Sequence, residues 1–412
     1  MNSPFIKKSF VFLWMAQAGS GLGGTFAAFL MSWLVYDLTG SMLAMSSVWV
    51  AFMLPSILTN LISGPYIDKL QYKTVMIVSE WLRAGGFFIL GIVVMADRLS
   101  FAFVIVIAVL IGFAEPLFRP ASMSYVAHIL PKQLLQRGNS VLEGTMQLMM
   151  LAGPALAGFL LTIAGPEVLI AILVIVLFSS GSVLLFVPKV DRKSTNHPPS
   201  WFFMFKEGLS FYRLFPVLLW IGLLMTVINF STGAAVPLFL PYIIDHIGGT
   251  EFMFGLFTSL FSLGMMAGSL VTGVFKQPAN LRVVMLGSLT INGFLMIVLG
   301  VVTSIWVALA VSLFQGVFAM IFTINNTTFY QQRVPPHLRG RVFAVRTLLA
   351  QSGIPLGAVF GGFVAEGYGF TILFLTLGGF ILIATAVAWM VPIFYQLNQP
   401  LEEESLPDAK RA

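Results

Sequence analysis

Long runs without a charged residue dominate this sequence. The longest extends from residue 283 to residue 332, and the segment from Ser9 to Tyr36 is also uncharged. Over the whole chain 58% of the residues are hydrophobic and 9% are charged, whereas soluble domains carry about 25% charged residues. Such a chain cannot cover a water-facing surface, and runs of about 20 apolar residues are long enough to cross a bilayer as helices. The sequence therefore predicts an all-α membrane protein.

Charged residues and Pro and Gly clusters divide the chain into twelve apolar segments. The run from 283 to 332 is too long for one span, so we place a hairpin near Thr303 and Ser304. The first segment exceeds the apolar core of a signal peptide, which is about 7–15 residues, and we interpret it as a retained span. The predicted spans are approximately 10–36, 42–63, 74–96, 99–127, 136–164, 167–188, 216–243, 251–275, 281–301, 304–331, 341–364 and 370–395.

The positions of Lys and Arg predict the orientation of these spans. With the amino terminus in the cytoplasm, 21 of the 22 Lys and Arg residues fall on the cytoplasmic side, and only Arg98 falls outside. Basic residues in short loops favour the cytoplasmic side of a membrane. We therefore expect a multi-pass protein of a bacterial plasma membrane with both termini in the cytoplasm. The net charge of +6 is then a signal of topology, and no nucleic-acid partner is expected.

The twelve spans divide into two halves that resemble one another at an offset of 204 residues. The matched pairs are Pro131 with Pro335, Leu134 with Leu338, Arg137 with Arg341, Gly153 with Gly357, Gly158 with Gly362 and Gly165 with Gly369. Repeated halves are typical of membrane folds that rock one half against the other. We predict an amino-terminal six-helix bundle over 1–188, a cytoplasmic loop over 189–215, a second six-helix bundle over 216–396 and a cytoplasmic tail over 397–412.

The loop after the second span contains Gly64, Asp68, Lys69 and Lys73. Gly64 permits a tight turn, and Asp68 can cap a helix amino terminus or pair with a cation. An ordinary charged loop is the alternative interpretation. The pattern resembles the signature of the major facilitator superfamily, although Tyr72 stands where that family usually has Gly. The resemblance implies the major facilitator fold, with two pseudo-symmetric six-helix bundles, and a gating role for these four residues.

The fifth span contains Gly153, Pro154 and Gly158, which are similar to the Gly-Pro motif of drug:proton antiporters in the same superfamily. Close packing of helices is the alternative reading, since small residues let helices approach one another. The stretches at 80–83 and 118–121 add a resemblance to the bacterial branch that contains drug, macrolide and siderophore exporters. In many proton antiporters an Arg lies in the middle of the fourth span, but residues 110–114 contain none.

Ionisable residues inside a membrane are costly and usually face the protein interior. Glu80 and Arg83 lie three residues apart on the third span, and Glu115 and Arg119 lie four apart on the fourth, so each pair shares a helix face. Together with Glu143 on the fifth span, they predict one charge cluster in the cytoplasmic half. Static ion pairs, a gate and a proton-binding site remain open as roles. Glu115 is the best candidate for protonation.

Uncharged polar residues near mid-depth are candidate contacts for a substrate, although each could instead bond a neighbouring helix. The resemblance places the cavity between the halves, lined mainly by spans 1, 4, 7 and 10, and places Asn292 outside it. With 39 Phe and 21 Met in the chain, we expect an aromatic and Met-rich wall that adapts to varied ligands. The candidate contacts are Gln17, Gln147, Asn229, Gln315 and Gln351.

These features together predict a secondary transporter and not an enzyme. We expect export of a hydrophobic or amphipathic small molecule (a drug, macrolide or siderophore-like compound) by alternating access, driven by an ion gradient, with protons as the possible coupling ion. A lipid or lysophospholipid translocase, an importer of the same fold and a non-transporting membrane sensor remain alternatives. No cofactor or metal site is expected. The expected partners are the substrate and membrane lipid, and we expect a monomer.

Overall fold

The structure is a computed structural model that describes residues 8–67, 70–189, 209–213, 215–274, 278, 280–335 and 338–399. These residues form helices and connecting turns, with no strand among them. In this part of the chain ten helices are long and apolar enough to cross a membrane. Two of them, Lys132–Val183 and Arg339–Met390, have 52 residues each, which is about twice the length that a span needs.

Each of these two helices divides at a glycine. Gly165 has φ 81° and ψ 172°, and Gly369 has φ 81° and ψ 173°. Essentially only glycine adopts this backbone conformation. The kinks occur at positions that correspond at the offset of 204 residues, and each separates two of the predicted spans. The twelve-helix fold with two pseudo-symmetric halves is therefore confirmed.

We number the spans α1 to α12. The fourth, α4, extends over Phe101–Ile129 and contains a short 3-10 turn at Glu115–Leu117. The others are α1 (Lys8–Thr39), α2 (Met42–Ile67), α3 (Tyr72–Met95), α5 (132–164), α6 (166–183), α7 (Pro216–His246, with short 3-10 and π turns after Ala235), α8 (Glu251–Val274), α9 (Leu281–Val301), α10 (Ile305–Arg333), α11 (339–368) and α12 (370–390).

The turn predicted at Gly64 is wrong, because α2 continues through Gly64 to Ile67. Residues 60 to 67 carry no charge, and the helix continues through Gly64 despite the turn signal of Gly64 and Pro65. The hairpin predicted near Thr303 and Ser304 is confirmed, since α9 ends at Val301 and α10 begins at Ile305. Asn280 accepts a hydrogen bond from the backbone N–H of Val283 and caps the start of α9.

The two ends of the helices define two faces of the molecule, and we call the one on the side of the predicted Lys and Arg cluster the basic face. The basic face contains the turns at 70–71, 130–131 and 187–189, and the opposite face contains the turns at 40–41, 96–100, 247–250 and 302–304. Contacts near the opposite face join the two halves. Tyr36 Oη donates to Asp245 Oδ1 at 2.6 Å, and the rings of Phe29 and Phe254 lie 5.1 Å apart.

Two glycines let helices of the two halves approach closely near the opposite face. A methyl group added at Gly158 of α5 would approach the carbonyl oxygen of Glu251 on α8 within 2.7 Å, and one added at Gly362 of α11 would approach Ser46 Oγ on α2 within 2.7 Å. Gly158 and Gly362 correspond at the offset of 204 residues, so a glycine at the same position of each half permits the close contact with the other half. This packing closes the space between the halves at the opposite face.

Candidate functional site: a central cavity beside a buried charge triad

A cavity of about 500 Å³ lies between the two halves, and we call it the central cavity. Helices α1, α2 and α5 line it from one side, and α7, α8, α9, α10 and α12 line it from the other. The wall is largely aromatic and Met-rich, as expected. Its aromatic and Met side chains are Phe29, Trp49, Met150, Met225, Phe239, Phe254, Phe257, Phe261, Met296 and Phe322.

Uncharged polar side chains supply the hydrogen-bonding groups of the central cavity. Asn229 and Gln315, both predicted contacts, line it, and none of the described lining residues is charged. Asn229 Nδ2 donates to the carbonyl oxygen of Ala350 at 2.9 Å, and Gln315 Nε2 lies 3.9 Å from Met296 Sδ. The oxygen of each amide is thus available to a ligand. Such a wall suits neutral, apolar compounds with a few polar groups.

The other three predicted contacts lie away from this cavity. Among the described residues that line it, Gln17, Gln147 and Gln351 are absent. Gln17 is buried and its Oε1 accepts a hydrogen bond from Ser122 Oγ at 2.8 Å, so it joins α1 to α4.

The prediction that Asn292 lies outside the cavity is wrong, because this residue of α9 lines it. The wall also includes Ile381 of α12, so peripheral spans contribute more than the resemblance implied.

A charge triad of Glu80, Arg83 and Glu115 lies between α1, α3 and α4. Arg83 Nη1 donates to Glu80 Oε1 at 2.9 Å, and Arg83 Nη2 lies 3.9 Å from Glu115 Oε2. Ser20 of α1 donates its hydroxyl to the same Glu80 oxygen at 2.8 Å. The side chains of Glu80 and Arg83 are 0% and 1% exposed, whereas that of Glu115 is 39% exposed. Glu80 thus holds Arg83 inside the protein, and Glu115 faces open space.

The triad lies at the middle of the helices and not in the half next to the basic face. Arg83 is the twelfth of the 24 residues of α3, and Glu115 is the fifteenth of the 29 residues of α4. At 1.5 Å per residue, α4 extends about 43 Å, so Glu115, about 21 Å from either end, is central. The predicted position in the cytoplasmic half is therefore wrong for these two residues.

Arg119 pairs with Glu143 of α5 and not with Glu115. Arg119 Nη2 lies 2.8 Å from Glu143 Oε1, and both side chains are exposed. The predicted pairing within α4 fails because the 3-10 turn at Glu115–Leu117 intervenes. With about three residues per turn in such a segment, residues 115 and 119 no longer share one helix face. The five charged residues therefore do not form the single cluster that was predicted. They form the buried triad and a separate, exposed pair of Arg119 with Glu143.

A second cavity, of about 280 Å³, lies beside the triad, and we call it the side cavity. Helices α1, α2 and α4 and Pro237 of α7 form its wall, and Glu115 is the charged residue of its described lining. Ala28, Ser32 and Trp49 line both the side cavity and the central cavity. These three side chains therefore form a thin partition between the two spaces.

Sequence reasoning missed Ser20 and Gly24, which lie one turn apart on α1 and bring this helix against the triad. A methyl group added at Gly24 would lie 3.5 Å from Arg83 Nη2 and 3.8 Å from Glu115 Oε1. The signal that could have located them is the concentration of small residues between 18 and 24 on α1, where only Leu22 is large. Small residues concentrate where helices approach closely within a membrane.

The remaining predicted gating residues lie in two places. Asp68 and Lys69 lie outside the described residues, and Lys73 Nζ donates to the carbonyl oxygen of Leu185 at 2.7 Å, beyond the end of α6. Gly153 packs against the side chain of Thr25 on α1, and the carbonyl oxygen of Pro154 lies against Gly255 of α8. The Gly-Pro motif therefore brings α5 close to both of its neighbours.

The sequence profile of a family described as transmembrane secretion effectors matches residues 1–407. The multidrug efflux pump Tap of Mycolicibacterium fortuitum is 29% identical over 404 residues, which cover 92% of this chain and 94% of that protein. The macrolide efflux protein A of Streptococcus pyogenes is 21% identical over 393 residues, with coverage of 93% and 96%.

Solved structures show the same fold. A bacterial homologue of the human lysosomal transporter Spinster, in an inward-facing and unoccupied conformation, aligns with a TM-score of 0.75 at 13% identity over 98% of this chain and 100% of that one. A bacterial homologue of the iron transporter ferroportin, in an inward-facing state, aligns with a TM-score of 0.74 at 15% identity over 97% and 100%. The chain belongs to the transmembrane secretion effector family of the major facilitator superfamily of transporters.

Proposed function

We propose that this protein exports hydrophobic or amphipathic small molecules across a bacterial plasma membrane by alternating access. The observation that carries the proposal is the central cavity, whose aromatic and Met side chains surround a few amide and hydroxyl groups. Polarizable, flexible side chains adapt to ligands of different shape. The names of the relatives, a multidrug efflux pump and a macrolide efflux protein, support export of drug-like compounds over import, lipid translocation or sensing.

The distribution of charge supports a cytoplasmic position for the basic face, because Lys and Arg in short loops favour that side. The contacts around Tyr36 and Asp245 and around Gly158 and Glu251 then close the path to the outside. The conformation corresponds to an inward-facing state that receives substrate from the cytoplasm or the inner leaflet. Side chains from both halves of one chain surround the central cavity, so a monomer can complete the transport site.

An ion gradient supplies the energy in this proposal, with the proton as the coupling ion. The triad contains two carboxylates and one guanidinium, and Arg83 lies closer to Glu80 than to Glu115. A carboxylate at mid-depth without full compensation is costly in its ionised form. Protonation of Glu115 removes that cost in one state, and release of the proton restores the pairing with Arg83 in another. Glu115 can thus couple proton movement to the change of conformation.

The proposed function is tested in two steps. Cells that overproduce the protein should tolerate a higher concentration of a macrolide such as erythromycin, and of ethidium, than cells that carry an empty vector. Inside-out vesicles should then accumulate ethidium when a proton gradient is imposed, and a protonophore should abolish the accumulation. Unchanged susceptibility together with no gradient-driven accumulation of either compound would contradict the proposal. Accumulation in right-side-out vesicles would instead support import.

A further inference from the structure

Arg346 of α11 is a half-buried cation in the second half of the protein. It is the eighth residue of α11, so it lies about 10 Å from the end of this helix at the basic face. Its Nη2 donates to Thr327 Oγ1 at 3.4 Å and lies 4.0 Å from Met225 Sδ. The guanidinium carbon lies 4.7 Å and 5.3 Å from the ring centroids of Tyr330 and Phe343. These partners are all neutral, and among the described residues no carboxylate lies within 4.0 Å of the guanidinium.

The first half of the chain has no positive charge at the corresponding position. Leu142 of α5 corresponds to Arg346 at the offset of 204 residues and is 4% exposed. An apolar side chain can therefore fill this position of the repeated fold, and packing alone does not explain the arginine. A cation within a membrane protein is costly unless it is paired, and contacts with aromatic rings offset only part of that cost. The guanidinium of Arg346 is thus suited to bind an anion.

Arg346 lies at the end of the central cavity towards the basic face. Met225, its neighbour on α7, lines the central cavity. Thr327, its neighbour on α10, lies one turn beyond Thr323, which also lines the cavity. Helix α10 runs towards the basic face, so the step from Thr323 to Thr327 leads out of the cavity on that side. A ligand in the central cavity can therefore reach Arg346 with one end.

We propose that Arg346 binds the oxyanion of an amphipathic organic anion, while the apolar body of the ligand occupies the central cavity. The ligand class is aromatic or single-chain acids that carry a carboxylate, a sulfonate or a phosphate. A guanidinium donates two parallel N–H groups to such an oxyanion, and these charge-assisted hydrogen bonds are stronger than neutral ones. In the described part of the chain only Nη2 has a hydrogen-bond partner, which leaves the other two nitrogens for the ligand. This inference rests on the proposed function and specifies a substrate class.

Equilibrium binding to the purified full-length protein tests the proposal. The protein is placed in nanodiscs of zwitterionic lipid, and empty nanodiscs supply the background signal. The probes are 8-anilinonaphthalene-1-sulfonate, an anion, and N-phenyl-1-naphthylamine, which has the same rings without the sulfonate. We expect Arg346→Gln to weaken binding of the sulfonate about tenfold or more, because hydrogen bonds to charged groups contribute more than neutral ones, and to leave binding of the naphthylamine unchanged. The control Arg98→Gln removes an exposed arginine at the opposite face and should affect neither probe.

A second variant keeps the test valid if Arg346→Gln folds poorly. Arg346→Leu introduces the side chain that the first half carries at Leu142, so this variant should fold and should show the same selective loss. Equal losses for both probes in a folded variant would mean that Arg346 only shapes the cavity, and no loss for either would mean that it does not contact the ligand. Either result would overturn the proposal.

Competition distinguishes two sources of the oxyanion. Dodecanoate and lauroyl lysophosphatidylglycerol, each below its critical micelle concentration, are added to the wild-type protein with bound sulfonate probe. Displacement by dodecanoate alone would assign the site to simple acids, displacement by the lysolipid alone would assign it to a lipid phosphate, and displacement by both would assign it to either source. Displacement by neither would overturn the proposal. Because binding requires no transport, these results are independent of the susceptibility and vesicle assays.

Discussion

The carboxylate of Glu366 on α11 accepts a hydrogen bond from the backbone N–H of Leu43 at 3.1 Å, at the start of α2. Ser41 Oγ donates to the same oxygen, Glu366 Oε2, at 3.0 Å. An anion at a helix amino terminus is stabilised by the unpaired N–H groups and the helix dipole. Because Glu366 and Leu43 belong to different halves, this cap exists only while the opposite face is closed.

We therefore expect Glu366→Ala to favour opening at the opposite face. Loss of a helix cap costs about 0.5–2 kcal/mol, which shifts a two-state equilibrium by roughly 2- to 30-fold. The chain has no native cysteine, so Ser32→Cys in the central cavity provides a single reporter. Its reaction with a membrane-impermeant thiol reagent in intact cells should accelerate in the Glu366→Ala background. The same rate in both backgrounds, with Glu167→Ala as a control, would show that the cap does not contribute to closure.

The kink at Gly369 predicts a large effect from a single methyl group. An added Cβ would contact nothing within 4 Å at Gly369 or at Gly367, but only Gly369 has a positive φ. Gly369→Ala should destabilise the protein by about 1–3 kcal/mol through backbone strain, whereas Gly367→Ala should be neutral or stabilise the helix by up to about 1 kcal/mol. Thermal unfolding of the two purified variants measures the difference. Equal midpoints would contradict the role assigned to this glycine.

The orientation of the chain is tested with single cysteines at two sites. Thr303 lies in the turn between α9 and α10 at the opposite face, and Ser200, which lies outside the described residues, belongs to the predicted cytoplasmic loop. An impermeant thiol reagent should label Thr303→Cys in intact cells and should label Ser200→Cys only after the membrane is permeabilised. The reverse pattern would place the basic face outside the cell and would contradict the proposed direction of transport.

Asp68→Asn should impair transport and leave membrane insertion intact. Asp68 lies outside the described residues, so this expectation rests on the resemblance of its loop to the superfamily signature and on the ability of a carboxylate to cap a helix or pair with a cation. Uptake of ethidium into inside-out vesicles, normalised to the amount of protein in the membrane, measures the effect. Transport at the wild-type rate by a normally inserted variant would remove Asp68 from the mechanism.

Local sequence pattern was sufficient for the number of helices and for the contact between Glu80 and Arg83 within α3, but not for the expected pairing of Glu115 with Arg119 within α4. The charge-free runs located the spans, and the glycines matched at the offset of 204 residues indicated the repeat, whose two kinks the structure then shows. The contact between Glu80 and Arg83 follows from a spacing of three residues on one helix. Helical geometry fixes such relationships before any tertiary packing occurs, so they can be derived from the chain alone.

Contacts between helices required the structure. The pairs Arg83 with Glu115 and Arg119 with Glu143 depend on the rotation of α3, α4 and α5 about their axes, and the 3-10 turn changes that rotation within α4. The position of Asn292 in the cavity wall and the cap formed by Glu366 depend in the same way on how the halves meet. Spacing along the sequence carries no information about these rotations.

The two carboxylates of the triad should respond differently to removal of their charge. Glu80 is fully buried and holds the buried guanidinium of Arg83 together with Ser20. Breaking a buried ion pair typically costs about 3–5 kcal/mol, because the remaining charge is left uncompensated. Glu80→Gln should therefore lower the thermal midpoint and the yield of folded protein, with part of the loss offset if Arg83 turns to Glu115.

Glu115→Gln should have a small effect on stability, since Glu115 is partly exposed and Arg83 keeps its closer partner. Its effect should fall on coupling: accumulation of a neutral substrate driven by a proton gradient is lost, while downhill exchange of that substrate continues. The measurements are thermal unfolding and the two transport assays on the same preparations. If Glu115→Gln unfolds as readily as Glu80→Gln, Glu115 is a structural residue. If the variant still supports gradient-driven accumulation, Glu115 has no part in the mechanism, and proton coupling must be assigned to another group.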